Sequence, residues 1–353
     1  MSIGVHPPET DLLLPLPEPG EQWDAHLIHT HYFGFSVPEA AIGAFLYIRY
    51  HPAFKICHGG VAIFQGNDNV ELSDIAYLDY EITMPWPTVE GNTITTDNGL
   101  RIEFLELGQK ARLTYTSHDG TTSVDVVADG VTPLLARGHV MPGEDAHHNT
   151  ELGKTSGGTE QFMHMTGELV LHGEHHVVDC YGPRDRSWRQ VRTEKRGAVP
   201  VPPVGWSPMY FGPDLIFNQI SFEPLDTDPA WAGLYEVGDR PSHHYAWIQL
   251  GEETRAITKV RRNVLEYHPQ LHMALRQEIE AWDEKGEYYR FTGEAIASAA
   301  LPAWPNVSFH DSVYRWTDAQ GREAYATYQE VWFDDYQRAM KNRRAPLAAA
   351  VAT

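Results

Sequence analysis

Three features of the sequence predict an all-β protein built from two packed antiparallel domains. Its 353 residues exceed the usual size of a single hydrophobic core, so two domains are expected. The chain is rich in aromatic residues, with 17 Tyr, 13 Phe and 10 Trp, and these residues favour strands. From Thr30 onward, short apolar runs recur about every ten residues between Gly- and Asp-containing turns, which is typical of a meandering sheet that closes into a barrel or sandwich.

The first half of the chain is predicted to form one curved sheet over residues 25–196. Residues 1–24 are rich in proline and show no periodicity, so they predict an extended arm on the surface. The apolar runs that follow predict strands at residues 44–48, 61–64, 102–107 and 111–115.

The clearest hairpin is predicted over residues 160–181, with residues 172–175 as its turn. That turn would pair residues whose numbers sum to 347, so that Glu168 faces Asp179 and Phe162 faces Asp185. Strand alternation also places Glu160, Phe162, His164, Thr166 and Glu168 on one face, with Gln161, Met163 and Met165 on the other.

A stretch rich in Pro and Gly at residues 197–205 predicts the start of a second β domain over residues 197–345. Residues 271–282 also fit a helical stripe, but alternating apolar residues and a strong following turn favour a strand. We expect a short helix at residues 334–344 and a disordered tail at 346–353. The predicted strands cover residues 214–222, 244–250, 256–262, 271–282, 288–296, 308–316 and 324–333.

Composition and motifs exclude several function classes. The formal net charge of -21 repels phosphate backbones, so nucleic acid is not an expected partner. The N-terminus lacks the basic start and apolar core of a signal peptide, and no apolar stretch could span a bilayer, so a cytoplasmic location is expected. No nucleotide-binding glycine motif occurs, and the adjacent histidine pairs would point to opposite strand faces; neither a cofactor nor a metal is predicted.

Two segments carry a family resemblance: GTEQF at residues 158–162 and GPRDRSWRQVR at residues 182–192. They resemble the tandem lipocalin-like superfamily that includes carotenoid 1,2-hydratases, kievitone hydratases and fungal lipocalin-like Diels–Alderases, and most closely its bacterial members with an E-Q strand and an R-D-x-S-W run. The resemblance extends over about residues 25–340. It implies two packed lipocalin-like barrels or curved sheets with a ligand inside one barrel or in the cleft between them. Arg186 and Arg189 stand where those members often have His and Gly.

The candidate catalytic residues are Asp185, His164 and Glu160. Asp185 lies between Arg184 and Arg186, so it is either part of an ion-pair cluster that locks the domains together or an acid–base group. With the register given above, His164 and Asp185 would share a face and form a proton-transfer pair. His164 could instead hydrogen-bond a backbone carbonyl.

The functional hypothesis is a cofactor-independent lyase or isomerase, such as a hydratase acting on a C=C bond of a terpenoid, polyene or aromatic molecule. Two alternatives stay open: a non-catalytic carrier of an apolar metabolite, and a cyclase that works by shape alone. The expected partner is an apolar small molecule, and a homodimer is left open. Residues predicted to contact the ligand are Gln161, Tyr181, Arg186, Trp188, Arg192, Trp206 and Tyr210.

Overall fold

The chain folds into an open curved sheet followed by a closed barrel, and almost all of its regular structure is β. The computed structural model describes residues 4–136, 152–192, 204–224, 226, 242–304, 307–333, 337–338 and 340–342. Within these residues no helix is long and apolar enough to cross a membrane. The predicted fold class is confirmed. The predicted domain boundary at 196/197 and the tail at 346–353 lie outside the described residues, whereas 337–338 and 340–342 are helical, as expected.

The first sheet has twelve antiparallel strands and curls into a half-barrel. Its strands are β1 (Leu27–Val37), β2 (Ile42–His51), β3 (Ile56–Gln65), β4 (Tyr77–Pro85), β5 (Thr88–Glu90), β6 (Thr93–Thr95), β7 (Arg101–Glu106), β8 (Lys110–Thr116), β9 (Ser123–Gly130), β10 (Leu135–Ala136), β11 (Gly157–Leu171) and β12 (Glu174–Val191). The strand order is β4-β3-β2-β1-β12-β11-β9-β8-β7-β6-β5, and β10 pairs with β11. Short 3-10 helices occupy Pro8–Leu12, Pro38–Ala40 and Leu72–Asp74. The long strands β1, β11 and β12 therefore lie side by side at the centre of the sheet.

The second sheet is a closed barrel of eight strands in sequence order. These are β13 (Val204–Tyr210), β14 (Ile216–Phe222), β15 (His243–Leu250), β16 (Glu253–Tyr267), β17 (Ala274–Asp283), β18 (Tyr288–Leu301), β19 (Val307–Asp318) and β20 (Glu323–Phe333). The ambiguous segment is a strand, because in β17 Gln277, Ile279 and Ala281 alternate into the interior.

Side chains fill the barrel interior. Tyr314, Trp316 and Tyr328 pack at its centre. Beside them, Arg262 and Glu330 form a fully buried ion pair at 2.7 Å. Burial alone would raise the pKa of Glu330, but hydrogen bonding to His310 and the charge of Arg262 lower it to about 2. These buried side chains therefore occupy the centre of the barrel.

The hairpin of β11 and β12 has a tighter turn than the sequence predicted. Glu160 pairs with Asp185 and Leu171 with Glu174, so paired numbers sum to 345 and the predicted pairing of Phe162 with Asp185 is wrong. The cause is a two-residue turn at His172 and Gly173, which both adopt positive φ. Because the shift is two residues, each side chain keeps its predicted face: Met163 and Met165 lie in the core of the first sheet.

The N-terminal arm enters the half-barrel instead of lying on its surface. Asp11, in the 3-10 helix, is buried and accepts hydrogen bonds from Arg184 Nη1 at 2.9 Å and from the backbone N–H of Gly108 at 2.6 Å. Leu12 and Leu14 pack against the core of the sheet. The ion pair of Asp11 therefore anchors the first part of the arm in the half-barrel, whereas residues 18–22 are exposed on the surface, as the sequence predicts for the arm.

The outer face of the half-barrel packs against the outer face of the barrel. An aromatic cluster at this contact includes Tyr32, Phe45 and Tyr47 from the sheet, and Trp206 and Phe309 from the barrel. A second apolar cluster joins Phe162 of β11 to Trp247 of β15, with ring centroids 6.0 Å apart. The two contacts flank an open space between the units.

Candidate functional site

A cleft of about 770 Å³ lies between the half-barrel and the barrel. Strands β1, β2, β11 and β12 form one wall, and the opposite wall comes from the barrel. The residues that line it are Thr30, Tyr32, Phe45, Tyr47, Ser156, Gly157, Glu160, Asp185, Arg189, Gln190, Val191, Arg192, Val204, Trp206, Ile220, His244, Tyr245, Trp304, Phe309, Gln329 and Val331. Its size and largely apolar, aromatic lining are typical of small-molecule sites.

Two carboxyl groups and a phenol form a row across the sheet wall of the cleft. Tyr32 of β1 pairs with Asp185 of β12, and Asp185 pairs with Glu160 of β11. Directly opposite residues on one face of an antiparallel sheet have Cβ atoms about 5 Å apart. Tyr32, Asp185 and Glu160, which we call the carboxylate row, therefore lie side by side on the wall of the cleft, with the Tyr32 hydroxyl 3.4 Å from Thr327 Oγ1 of the barrel.

Glu160 is held by a network that crosses from the sheet to the barrel. Asn218 Nδ2 donates to Glu160 Oε2 at 2.5 Å and to the Tyr245 hydroxyl at 3.1 Å. Trp206 Nε1 in turn donates to Asn218 Oδ1 at 3.0 Å. Because Asn218 and Glu160 are both buried, this network fixes the carboxylate in position at the base of the cleft.

The arginines beside Asp185 point away from the cleft. Strand alternation places Arg184 and Arg186 on the inner face of the half-barrel, where Arg184 pairs with Asp11 at 2.9 Å. Arg186 donates to the backbone carbonyl of Thr30 at 2.9 Å. Burial lowers the pKa of Arg186 to about 10. The carboxylate partner of Arg184 is therefore Asp11, while the charge of Asp185 acts on Arg186 from the other face of the strand.

Two predicted ligand contacts lie with these arginines inside the half-barrel. Gln161 accepts a hydrogen bond from Arg184 Nε at 2.6 Å and donates to the carbonyl of Gly108 at 2.9 Å. Trp188 is fully buried and meets the His6 ring edge-on at 5.1 Å. Neither side chain lines the cleft.

Three other predicted residues form an aromatic stack outside the cleft. Tyr181 lies between His164 and Tyr210, with ring centroids 4.9 Å and 4.3 Å away. His164 Nε2 lies 2.7 Å from Asp179 Oδ1, so its carboxylate partner is Asp179. The predicted proton-transfer pair of His164 and Asp185 is wrong, because the register places His164 opposite Tyr181. Of the predicted residues, Glu160, Asp185, Arg192 and Trp206 line the cleft.

A buried acid that the sequence patterns did not predict lies behind the cleft wall. Asp311 of β19 is 2% exposed, on the strand face that carries Phe309 and Val313. Burial raises the pKa of Asp311 well above its ordinary range, and hydrogen bonds from Gln329 and the Ser312 backbone lower it only in part. The pKa of Tyr32 is also raised, first by burial and then by the nearby charge of Asp311. An acidic residue between apolar ones on a predicted buried face was the available signal.

Comparison with known proteins agrees on the fold. The sequence model of a family described as "Domain of unknown function (DUF7064)" matches residues 18–332. A search of curated proteins finds no match. Kievitone hydratase from Nectria haematococca has a similar structure, with a TM-score of 0.53 and 12% identity over 95% of both chains. An AttH-like protein from Nitrosomonas europaea gives a TM-score of 0.52 and 10% identity over 90% of this chain and 99% of that one. These likenesses support the lipocalin-like fold.

Proposed function

The chain belongs to the DUF7064 family, and we propose that it is a cofactor-independent lyase or isomerase with hydratase-like chemistry on a C=C bond of an apolar small molecule. The observation that carries this proposal is the carboxylate row on the wall of an aromatic-lined cleft. Two neighbouring carboxyl groups can supply the acid and the base that addition of water requires. One of the two carboxyl groups would donate the first proton, and the other would accept the proton that water loses.

The reaction would proceed in two balanced steps. One carboxyl group, from Asp185 or Glu160, donates its proton to an alkene carbon, which forms a C–H bond and leaves positive charge on the neighbouring carbon. The faces of Tyr32 and Trp206 would stabilise that charge. Water then forms the C–O bond and gives its proton to the other carboxylate, and transfer of that proton back to the first carboxylate returns both groups to their starting state. Elimination of water follows the same path in reverse.

The likeness to kievitone hydratase supports this reaction class, since that protein is a hydratase by name and shares the fold over nearly its whole length. The fold alone does not specify chemistry, and the carboxylate row in the cleft is what favours a hydratase. A carrier would share the apolar lining, and a shape-driven cyclase would need no titratable group. Both alternatives predict that neutral replacements for Asp185 and Glu160 keep full function.

The test begins with mass spectrometry of ligand that co-purifies with the full chain under native conditions. That ligand and kievitone are then incubated with the protein in H2 18O, and uptake of labelled water is measured. We expect D185N and E160Q to keep their fold and ligand binding and to lose turnover about 10²- to 10⁴-fold. D179N is the matched control, because Asp179 lies on the same strand, outside the cleft, beside His164.

Full turnover in both D185N and E160Q would rule out acid–base catalysis by the carboxylate row. Binding of the co-purified ligand without any turnover by the native chain would identify a carrier instead. If D179N lost as much turnover as D185N, the effect would be one of surface charge or stability and would count against the proposed roles.

A further inference from the structure

Two arginines line the cleft beyond the carboxylate row. Arg189 and Arg192 lie near the end of β12, four and seven residues after Asp185. At about 3.3 Å per strand residue, Arg192 follows Asp185 by roughly 20 Å of backbone. Each guanidinium lies over an indole ring: Arg189 over Trp23 at 4.0 Å, and Arg192 over Trp304 at 4.2 Å from the ring centroid.

A β-bulge turns this part of β12 toward the cleft. Thr30 pairs with Ser187 but Ile28 pairs with Gln190, so Trp188 and Arg189 together oppose one residue of β1. Without the extra residue, strand alternation would place Arg192 on the inner face of the half-barrel with Arg184 and Arg186. Bulges re-aim side chains in this way, often next to active sites.

Arginine occupies the bulge despite an unfavourable backbone conformation. Arg189 has φ +50°, in the left-handed region where glycine is the easiest residue to accommodate. Its backbone N–H donates to His29 Nδ1 at 2.9 Å, which holds the bulge in place. The bulge therefore carries a long cationic side chain at a position that glycine would also accept.

Arg189 and Arg192 place two positive charges on the cleft of a strongly acidic protein. With a formal net charge of -21, the protein repels anions in general. A guanidinium stacked on an aromatic ring keeps the N–H donors at its edge in a plane, and these donors match the two oxygens of a carboxylate or similar anion. Arg192 Nη2 donates to Gln190 Oε1 at 3.1 Å, and the pKa of Glu21 is lowered by a hydrogen bond from the Glu18 backbone and, to a smaller extent, by the charge of Arg189. With these contacts, the two guanidinium groups at one end of an apolar cleft form a candidate subsite for an anion.

We propose that the cleft takes an amphipathic ligand, with its apolar body against the aromatic wall near Tyr32 and Trp206 and a carboxylate or related oxyanion at Arg189 and Arg192. This inference rests on the proposed function in one respect: both place the ligand in the cleft. It adds that the ligand carries an anionic group at the arginine end of the cleft.

Two dyes that differ by one charged group provide the test. N-phenyl-1-naphthylamine is neutral, and 8-anilino-1-naphthalenesulfonate is the same skeleton with a sulfonate. The dissociation constant of each dye is measured by fluorescence with the full chain. We expect R189G and R192Q each to weaken binding of the sulfonated dye about tenfold, a typical loss for a charge-assisted hydrogen bond, while binding of the neutral dye stays within about twofold. R189G is well suited to the test, because glycine accepts the positive φ.

The matched control is R112Q, which removes the same charge from an exposed pair with Asp125 on the outer surface. It should change neither dissociation constant. Equal weakening of both dyes by R189G and R192Q, or no weakening of the sulfonated dye, would overturn the inference and leave the proposed function intact. A W206A variant separates failure of the anion subsite from failure of the proposed function. If W206A leaves binding of the neutral dye unchanged, the cleft is not the apolar site, and both proposals fail.

Discussion

Asp311 differs from the carboxyl groups of the carboxylate row because it lies behind the cleft wall and not on it. It shares its strand face with apolar side chains that pack between the two units. Burial raises the pKa of Asp311 well above its ordinary range. Its charge helps to raise the pKa of Tyr32, which lines the cleft.

The raised pKa of Asp311 predicts a particular pH dependence of stability. Because the folded pKa exceeds the unfolded value, the folded state holds a proton that the unfolded state has lost, and stability falls as pH rises from about 4 toward the folded pKa. D311N cannot ionise. We expect the free energy of unfolding of D311N, measured relative to that of the native chain, to rise with pH by up to about 1.4 kcal/mol per pH unit within that window.

Urea unfolding at a series of pH values measures this difference. D125N is the control, since exposed Asp125 pairs with Arg112 and has a lowered pKa, so its effect should be constant across neutral pH. A D311N curve parallel to that of the native chain would show that Asp311 ionises as freely in the folded state as in the unfolded one.

At the scale of elements, the N-terminal arm is held by one buried charge pair. Asp11 and Arg184 are 1% and 4% exposed, so loss of either charge leaves the other buried without an opposite charge. We expect D11N to reduce the free energy of unfolding by about 3 kcal/mol and to release the arm locally. Hydrogen exchange should then become faster in residues 6–14 and stay unchanged in the strands of the barrel.

The control for the arm is E9Q, which neutralises an exposed carboxylate two residues away. It should leave exchange in residues 6–14 unaltered. Unchanged exchange in D11N would mean that the apolar contacts of Leu12 and Leu14 are sufficient to hold the arm.

Local patterns predicted the strands and their faces well, and failed where distant parts of the chain meet. Alternation placed Met163 and Met165 on the face opposite Glu160, and the structure shows that this face packs in the core; the prediction survived the error in register because the shift was an even number of residues. The pairing of Asp185 with Glu160 depended on a turn whose length the sequence left ambiguous. The hydrogen bond of Glu160 with Asn218 spans 58 residues and two sheets, and no local pattern encodes such a contact.

At the scale of the whole molecule, the cleft exists because two outer faces are both apolar. Strand β2 is buried along nearly its whole length, with Phe45 facing the barrel and Leu46 facing the core of its own sheet. A continuous apolar run, in place of alternation, is typical of a strand covered on both faces. The run at residues 44–48 therefore carried a signal for packing between the two units as well as for a strand.

This packing predicts that the two units unfold together. The ring of Phe45 lies 5.1 Å from Tyr32 and 5.4 Å from Phe309 of the barrel. F45A removes apolar contact between the units at a cost of about 3–5 kcal/mol, so we expect the half-barrel and the barrel to separate into two transitions in urea. Pulsed hydrogen exchange read on peptides from β2–β3 and from β16–β17 follows each unit independently.

L46A is the matched control, because Leu46 is equally buried and lies inside one unit. It should lower the midpoint of a single shared transition, and separate transitions already present in the native chain would contradict coupling through this interface.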